Sequence, residues 1–572
     1  MHIVVIKENE CEAPSACNYI CYNVCPQVRK GLKETVYKRE NGKAAINEEL
    51  CIACGICVKR CPFEAIRVIN LPDETGKELV FQYGINSFRT YNIASPMEGR
   101  IVALIGRNGI GKTTNIKLIS GELKPNFGEF DKEHTEKEII QRFRGKDVQP
   151  YLEKIYSGRL KISKKPQEFR LEGKVKDIVK SNRFGLIDKD LLNKEDASLL
   201  SGGEGQLVRI AQTLDEEADV YIFDEPMNFL DISQRLRVSR TIKEKLKGKT
   251  VVVAEHDLLA VDYMADFVQV LYGSDSNYGI VSHVMPTRSG INNYIYGYLP
   301  DENVRFRSYQ INMKKESSSQ SIDVSFSWPD FNIKLGSFVL NVKAGSLPKG
   351  EIIGAIGENG IGKTTFLKGL AGLVETDIGR LDFGIRISYK PQIIERGDMI
   401  VSDVFSSIDK NFENNEVFQD MIRKLELNRV LNKNIKNLSG GELQKVAIVS
   451  SLMRDADLYV LDEPSANLDV EDRLSVIDIF NAFIKSRQKS AIVVDHDLVF
   501  IDSIASRIIF FDGKPRVQGI VNGIMKKEDA INELLRDSGV TIRRDTETGR
   551  PRINTPGSRL DVEQKESGKL FD

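Results

Sequence analysis

After Cys61 the chain has no cysteine in the remaining 511 of its 572 residues. Neither sign of charge dominates: 81 Lys and Arg stand against 82 Asp and Glu, a net charge of −1. That balance excludes a molecule that is basic as a whole, so any nucleic-acid contact must come from local patches. No apolar run approaches the length that crosses a bilayer. The start, MHIVVIKENE, is too short and too soon charged for a signal peptide. No G-x-G-x-x-G dinucleotide fingerprint follows any strand-like segment. These absences point to a cytoplasmic protein, where thiols stay reduced and disulfides are rare. The length exceeds what one core supports and suggests three or four domains.

What cysteine there is falls in two runs. Cys11, Cys17, Cys21 and Cys25 read C-x5-C-x3-C-x3-C-P; Cys51, Cys54, Cys57 and Cys61 read C-x2-C-x2-C-x3-C-P. The second run has the spacing of a bacterial ferredoxin, and the first departs from it. In two-cluster ferredoxins the fourth cysteine of one run ligates the other cluster. This predicts one [4Fe–4S] cluster on Cys51, Cys54, Cys57 and Cys25, and a second on Cys11, Cys17, Cys21 and Cys61. Zinc is the competing occupant, because C-x2-C pairs often bind it. Zinc sites rarely place a third cysteine two residues after such a pair and a fourth before Pro.

Beyond residue 80 the chain repeats itself. GRNGIGKTT (106–114) returns as GENGIGKTT (357–365), LSGGEGQ (200–206) as LSGGELQ (438–444), VYIFDEP (220–226) as LYVLDEP (458–464), and AEHD (254–257) as VDHD (494–497). GxxxxGK[ST] after an apolar strand is a phosphate-binding loop, whose glycines turn backbone N–H groups toward phosphates at a helix N-terminus. The candidates are Gly106, Asn108, Gly109, Gly111, Lys112, Thr113 and Thr114, and in the second copy Gly357, Asn359, Gly360, Gly362, Lys363, Thr364 and Thr365. The lysines reach β- and γ-phosphates, and Thr113 and Thr364 hold Mg²⁺. Asp224 and Asp462 end apolar strands and support Mg²⁺. Glu225 and Glu463 then orient or deprotonate the attacking water. His256 and His496, two of only five histidines, stand at matching positions and suggest contact with the γ-phosphate.

LSGGE between these elements resembles the signature of ABC-type ATPases. The resemblance implies that the signature of one cassette completes the nucleotide site of the other. Site one then joins Lys112, Thr113, Gln167, Asp224, Glu225 and His256 to Ser439, Gly440 and Gly441. Site two joins Lys363, Thr364, Gln392, Asp462, Glu463 and His496 to Ser201, Gly202 and Gly203. The glutamines of KKPQ and YKPQ, Gln167 and Gln392, match Q-loops and touch Mg²⁺, while Asp231 and Asp469 match D-loops. Tyr83, Phe88 and Trp328 are candidates for stacking on adenine, or for the core.

The first cassette carries 26 more residues between its phosphate loop and its Q-loop than the second. There Ile139, Ile140 and Phe143, then Val148, Tyr151, Leu152 and Ile155, sit at helical spacing around Gly145, predicting a helix–loop–helix at about 135–160. Residues 137–165 hold nine Lys or Arg against three Asp or Glu, a solvated face or a phosphate contact. The joining segment RSGINNYIYGYLPDENVRFR (288–307), its weaker echo at 525–545 and the terminal Arg543, Arg544, Arg550 and Arg552 complete a pattern. Together with the cysteine runs it resembles ABC class E, the ribosome-recycling or RNase L inhibitor family, in a compact version that suggests an archaeal source. Two departures stand in the first signature: Gly205 where the family has Leu, and Leu207 where it has a basic residue.

The expected architecture is α/β, with two ABC-type P-loop domains head to tail behind an N-terminal ferredoxin-like α+β domain. Its boundaries are 1–75 for the cluster domain and 76–296 for the first cassette. A hinge at 297–325, the second cassette at 326–512 and a C-terminal hinge segment at 513–572 follow, with residues 70–82 as the tether of the cluster domain. The resemblance implies an ATPase using ATP and Mg²⁺, with two structural clusters stabilising a small domain. Its partners would be the ribosome, mainly the small subunit through ribosomal RNA and proteins, a release factor or its rescue homologue, and initiation factors. No membrane is implied. The chain would act as a monomer whose two cassettes pair. Rival readings are an electron-transfer protein coupled to ATP hydrolysis and a soluble ABC ATPase of another translation or transport system.

Overall fold

The computed structural model describes residues 2–70, 78–307, 324–536 and 538–571. It divides into two compact units: residues 1–97, 104–162 and 269–285 form one, and residues 98–103, 163–268 and 286–572 the other. No helix among the described residues is long and apolar enough to cross a membrane.

The first unit begins with a small domain. Strand His2–Ile6 pairs antiparallel with Ile66–Asn70, and Val36–Lys38 with Ala44–Ile46. Each cysteine run leads into a short helix, Ile20–Val24 or Ile56–Arg60, closed by the last cysteine of the run, Cys25 or Cys61. The core is thin. Val4, Ile6, Val36, Ala44, Ile46, Ala65 and Ile66 share it with Cys11 and Cys21. So little apolar surface leaves room for other stabilising groups.

The tether expected over 70–82 includes a strand of the first cassette. Residues 71–77 lie outside the described residues, but Leu79–Gln82 is a strand, with Val80 and Phe81 buried. It pairs with Arg89–Tyr91, which pairs parallel with Tyr278–Val281. The 83–89 turn between them is held to the small domain. Asn86 accepts from the Ile46 N–H at 2.8 Å and donates to the Ile46 and Val4 carbonyls, while Arg89 pairs with Glu48 at 2.7 Å. The predicted insertion is present as helices Glu136–Arg142 and Gln149–Tyr156. Thr135 and Glu138 form a reciprocal capping box at its start, and Ile139, Phe143, Val148, Tyr151 and Leu152 are its buried face.

In the second unit one cassette is complete. Its eight strands run in the order Phe331–Leu335, Phe338–Val342, Gln518–Lys526, Arg507–Lys514, Ile352–Ile356, Ser490–Val494, Leu458–Asp462 and Ile387–Lys390. The last five are mutually parallel. The central IIGAI, SAIVV and LYVLD strands are buried throughout, the reading expected of parallel strands covered on both faces. Strand Gln518–Lys526 belongs to this sheet, so the cassette extends beyond the boundary expected at residue 512. The unit also contains Val220–Asp224 and Thr250–Ala254 of the first cassette, parallel and fully buried.

The two hinge segments meet. Helix Thr287–Tyr296 ends at Gly297 in the left-handed region, where a Cβ would lie 2.8 Å from Arg307. The later echo is helix Lys527–Leu535, followed by the hairpin Ile542–Arg544 with Pro551–Ile553 and helix Arg559–Ser567. Arg288 pairs with Asp545 and Glu547, each at 3.2 Å. Residues 308–323 of the expected hinge lie outside the described residues.

Candidate functional site

Each phosphate loop leads from a buried strand into a helix, Lys112–Ile119 or Lys363–Leu370. Gly111 and Gly362 precede these helices at φ 100° and 101°. At both, the space a Cβ would fill is taken by an aromatic ring, Phe88 at 2.7 Å and Phe338 at 2.8 Å. Glycine is therefore required twice over, by the left-handed backbone and by the ring. Phe88 and the exposed Tyr83, whose hydroxyl lies 3.2 Å from that of Thr114, flank the first loop. Trp328 does not have this place in the second cassette. It is buried in the core, edge-on to Phe366, and its indole N–H donates to the Lys343 carbonyl at 3.1 Å. The residue that repeats Phe88 is Phe338, 24 positions before Gly362 as Phe88 is 23 before Gly111. Aligning the two copies by that spacing finds it.

Both loop lysines fold back on their own loop. Lys112 donates to the carbonyls of Gly106 and Arg107 at 3.0 and 2.9 Å, Lys363 to those of Gly357 and Glu358 at 2.8 and 2.7 Å. Burial draws Lys363 down to about 8, against the opposing pull of Asp231, Glu463 and Asp462. Burial likewise pushes Asp462 up to about 6, although the Thr364 hydroxyl lowers it. A buried carboxyl held so high, beside a threonine hydroxyl and a phosphate loop, suits Mg²⁺, whose oxygen ligands and charge would relieve it.

Glu463 behaves oppositely. Burial alone would raise it, but His496 at 3.3 Å, the amide of Gln392 at 2.8 Å and the charge of Lys363 outweigh burial and bring it to about 2. It therefore stays a carboxylate at neutral pH. In the first cassette His256 lies 3.6 Å from Glu225, and Asn228 donates to it at 2.6 Å. Ala466 replaces Asn228 in the second copy. Asn228 carries no motif that sequence reading would flag. Gln167 lies exposed in the loop after strand Ile162–Lys165.

The two signatures open helices Gly202–Asp215 and Gly440–Met453. Ser201 and Ser439 are reciprocal caps with Glu204 and Glu442. The D-loop residues Asp231 and Asp469 likewise cap the helices that follow, accepting from Gln234 and Asp472. The second unit brings parts of the two cassettes into contact. The Asn359 N–H of the second phosphate loop donates to Asp231 of the first D-loop at 2.9 Å, and its side chain to the Phe229 carbonyl at 3.2 Å. A Cβ on Gly203 would meet that carbonyl at 2.8 Å. Arg516, in the turn after strand Arg507–Lys514, pairs with Glu204 at 2.8 Å. Gly205 leaves its helix unbroken, and Leu207 is buried, which a basic residue there would not favour.

In the small domain Cys25, Cys51, Cys54 and Cys57 line one cavity of about 20 Å³ with Val36, Ile46 and Val68. Burial, then the neighbouring Cys51, Cys54 and Cys25, push Cys57 up to about 11; burial, with Cys17, Cys57 and Cys11, pushes Cys21 up to about 12. Such thiols are poor nucleophiles and ionise against strongly positive metal. All eight cysteines are free thiols. The donor set thus fits an iron–sulfur cluster, and the four-thiol cavity matches the cross-run ligand set expected from spacing.

The expected basic patches are reduced. Lys165 is buried. Arg142 and Lys146 of the insertion pair with Glu129 and Glu78 at 2.5 and 2.8 Å. At the C-terminus Arg550 and Arg552 pair with Asp262, Arg544 pairs with Asp502, and Arg543 donates to Asn554. These arginines serve the fold, because a hinge hairpin with so little apolar surface is anchored by ion pairs.

Residues 95–228 and 340–466 match the ABC transporter family, and residues 44–67 match the 4Fe-4S binding domain. Fold and site together define a twin-cassette P-loop ATPase with an iron–sulfur domain. The chain is 38% identical to "Translation initiation factor rli1" of Schizosaccharomyces pombe, over 100% of this chain and 98% of that one. Among solved structures, ABCE1 in "Model of ribosome-bound archaeal Pelota and ABCE1" is 39% identical, with a TM-score of 0.88 over 100% of this chain and 99% of that one. The chain in "the complex of archaeal ribosomal stalk protein aP1 and archaeal ribosome recycling factor aABCE1" is 39% identical, with a TM-score of 0.82 over 86% and 99%. This protein belongs to ABC class E, the RNase L inhibitor family.

Proposed function

We propose that this protein is an ATP-driven ribosome recycling factor. The observation that carries the reading is full-length similarity to an ABCE1 described as ribosome-bound with Pelota. The cross-cassette contact of Asn359 with Asp231 supports it, because ATP closing the cassettes would press on that contact. Lys363 grips the phosphates and Thr364 and Asp462 hold Mg²⁺, which neutralises phosphate charge when bound. Glu463, steadied by His496 and Gln392, orients the water; Ser201 and Gly203 close the site from the other cassette. Lys112, Thr113, Asp224, Glu225, His256, Gln167, Ser439, Gly441 and Asp469 act likewise in the first site. Closure moves the cluster domain against a release or rescue factor and splits the subunits. The protein stays on the small subunit until hydrolysis reopens the cassettes. ATP is thus spent on conformation.

The small domain holds two clusters on this reading, one on Cys25, Cys51, Cys54 and Cys57 and one on Cys11, Cys17, Cys21 and Cys61. Anaerobically purified protein is expected to contain about eight iron atoms per chain, and Cys54→Ser with Cys57→Ser to bring this to about four. A parent value near four, or one zinc per chain, would refute two clusters.

The test of function is sedimentation with purified ribosomal subunits, with and without a non-hydrolysable ATP analogue. Analogue-dependent migration with the small subunit is the expected result. No association under any nucleotide would remove the ribosome from the reading and leave the ATPase.

A further inference from the structure

The strand before each Q-loop ends in a lysine that points inward. Lys165 and Lys390 are 0% and 1% exposed. Burying an ammonium group is costly unless its protons are satisfied, so what each one touches has functional weight. In both cassettes the partners are the same atoms. Lys165 Nζ donates to the backbone carbonyls of Asp224 at 2.7 Å and Glu225 at 3.1 Å. Lys390 Nζ donates to those of Asp462 at 2.9 Å and Glu463 at 3.4 Å, and also to Pro391 at 3.1 Å.

A second donor reaches the same carbonyl from another direction. Two residues past each signature glutamate, Gln206 donates to the Glu225 carbonyl at 2.8 Å and the Pro226 carbonyl at 2.9 Å, and Gln444 donates to the Glu463 carbonyl at 2.6 Å. The amide N–H of each glutamate is held in turn, by Ala254 O or Val494 O at 2.8 Å. This peptide needs holding. Glu225 and Glu463 have φ of 48° and 46°, in the left-handed region that is strained for a residue with a side chain. Such strain persists only where surroundings over-determine it. The turn aims the glutamate side chain, and its carbonyl is the point where strand, signature helix and turn are tied together.

We propose that Lys165 with Gln206, and Lys390 with Gln444, are positioning residues that clamp the backbone carbonyl of the water-orienting glutamate and so fix the direction of its carboxylate. The inference rests on Glu225 and Glu463 having that role. A carboxylate misplaced by about 1 Å loses on the order of 100-fold in rate, while the phosphate loop that binds ATP is untouched.

The test uses the full-length protein with its clusters and paired changes in both cassettes. Lys165→Met/Lys390→Met keeps the stems and removes the ammonium groups; Gln206→Leu/Gln444→Leu removes the other donor and serves where the first pair fails to fold. Glu225→Gln/Glu463→Gln is the reference. Each clamp variant is expected to lower kcat at least tenfold, with KM for ATP and binding of a non-hydrolysable analogue within about twofold of the parent. Added to the glutamate variant, it is expected to lower kcat no further, because both act on one step. Unchanged kcat in a folded clamp variant overturns the proposal, as does a loss of ATP binding parallel to the loss of rate. If the glutamate reference itself turns over normally, the assignment of Glu225 and Glu463 fails first, a result separate from either.

Discussion

Glu463→Gln is expected to reduce hydrolysis at the second composite site by about 100-fold or more, with ATP still bound. General-base contributions of this kind are typically 10²–10⁴-fold. The amide keeps the size and the left-handed turn but cannot take a proton from water. Two features make the effect large. The carboxyl is held at about 2 despite its burial, so it is fully ionised at working pH. It is also already placed, between His496 at 3.3 Å and Gln392 at 2.8 Å. Glu225→Gln tests the other copy, where the Asn228 amide donates to the carboxylate at 2.6 Å. Single-turnover hydrolysis with each variant, and retention of the protein on small subunits after ATP, are the measurements. Recycling requires the variants to stay on the subunit. Prompt release with hydrolysis abolished would refute the cycle, and hydrolysis within threefold of the parent would refute the assignment of the base.

Asp262→Ala is expected to give the largest loss of stability. Asp262 lies on helix Leu258–Met264 and accepts from Arg552 at 2.7 Å and from Arg550 at 3.4 Å; its side chain and that of Arg550 are both 1% exposed. Removing one partner of a buried pair leaves an uncompensated charge, at about 3–5 kcal/mol. For a unit of this size that lowers the melting temperature by on the order of 10 °C. Calorimetry checks it, together with proteolysis of the released hairpin. A shift under about 1 °C would mean that the arginines find other partners.

The same network predicts the effect of acid. Burial would raise Asp545, but N–H groups of Thr548 and Glu547 and the charges of Arg550 and Arg288 outweigh it and bring the carboxyl to about 2. A depressed carboxyl stabilises fully above the unfolded value near 4, and that contribution is lost as pH falls through about 2. The hinge contact is therefore expected to survive mild acid.

The phosphate loops, signatures and strand-end carboxylates were legible because each motif gathers neighbouring residues on one strand–turn–helix. The ferredoxin-type module was legible for a related reason: cluster spacing is written into the chain. Trp328 takes the core alternative of its two readings, and Phe338 was missed. Which aromatic lies against Gly362 depends on strand register, which composition does not report. The pairing of Arg550 and Arg552 was not legible, because their partner, Asp262, is nearly 300 residues earlier.

The sequence by itself determined the repeated cassettes, the order of their motifs, the class of ATPase and the iron–sulfur module over residues 44–67. Only the tertiary structure decided which charges are spent on the fold, which aromatic meets each loop, and that Lys165 and Lys390 end on the carbonyl of a strained glutamate. The physical reason is that motifs record contacts between near neighbours, whereas burial and long-range pairing arise only when distant strands and helices close over one core.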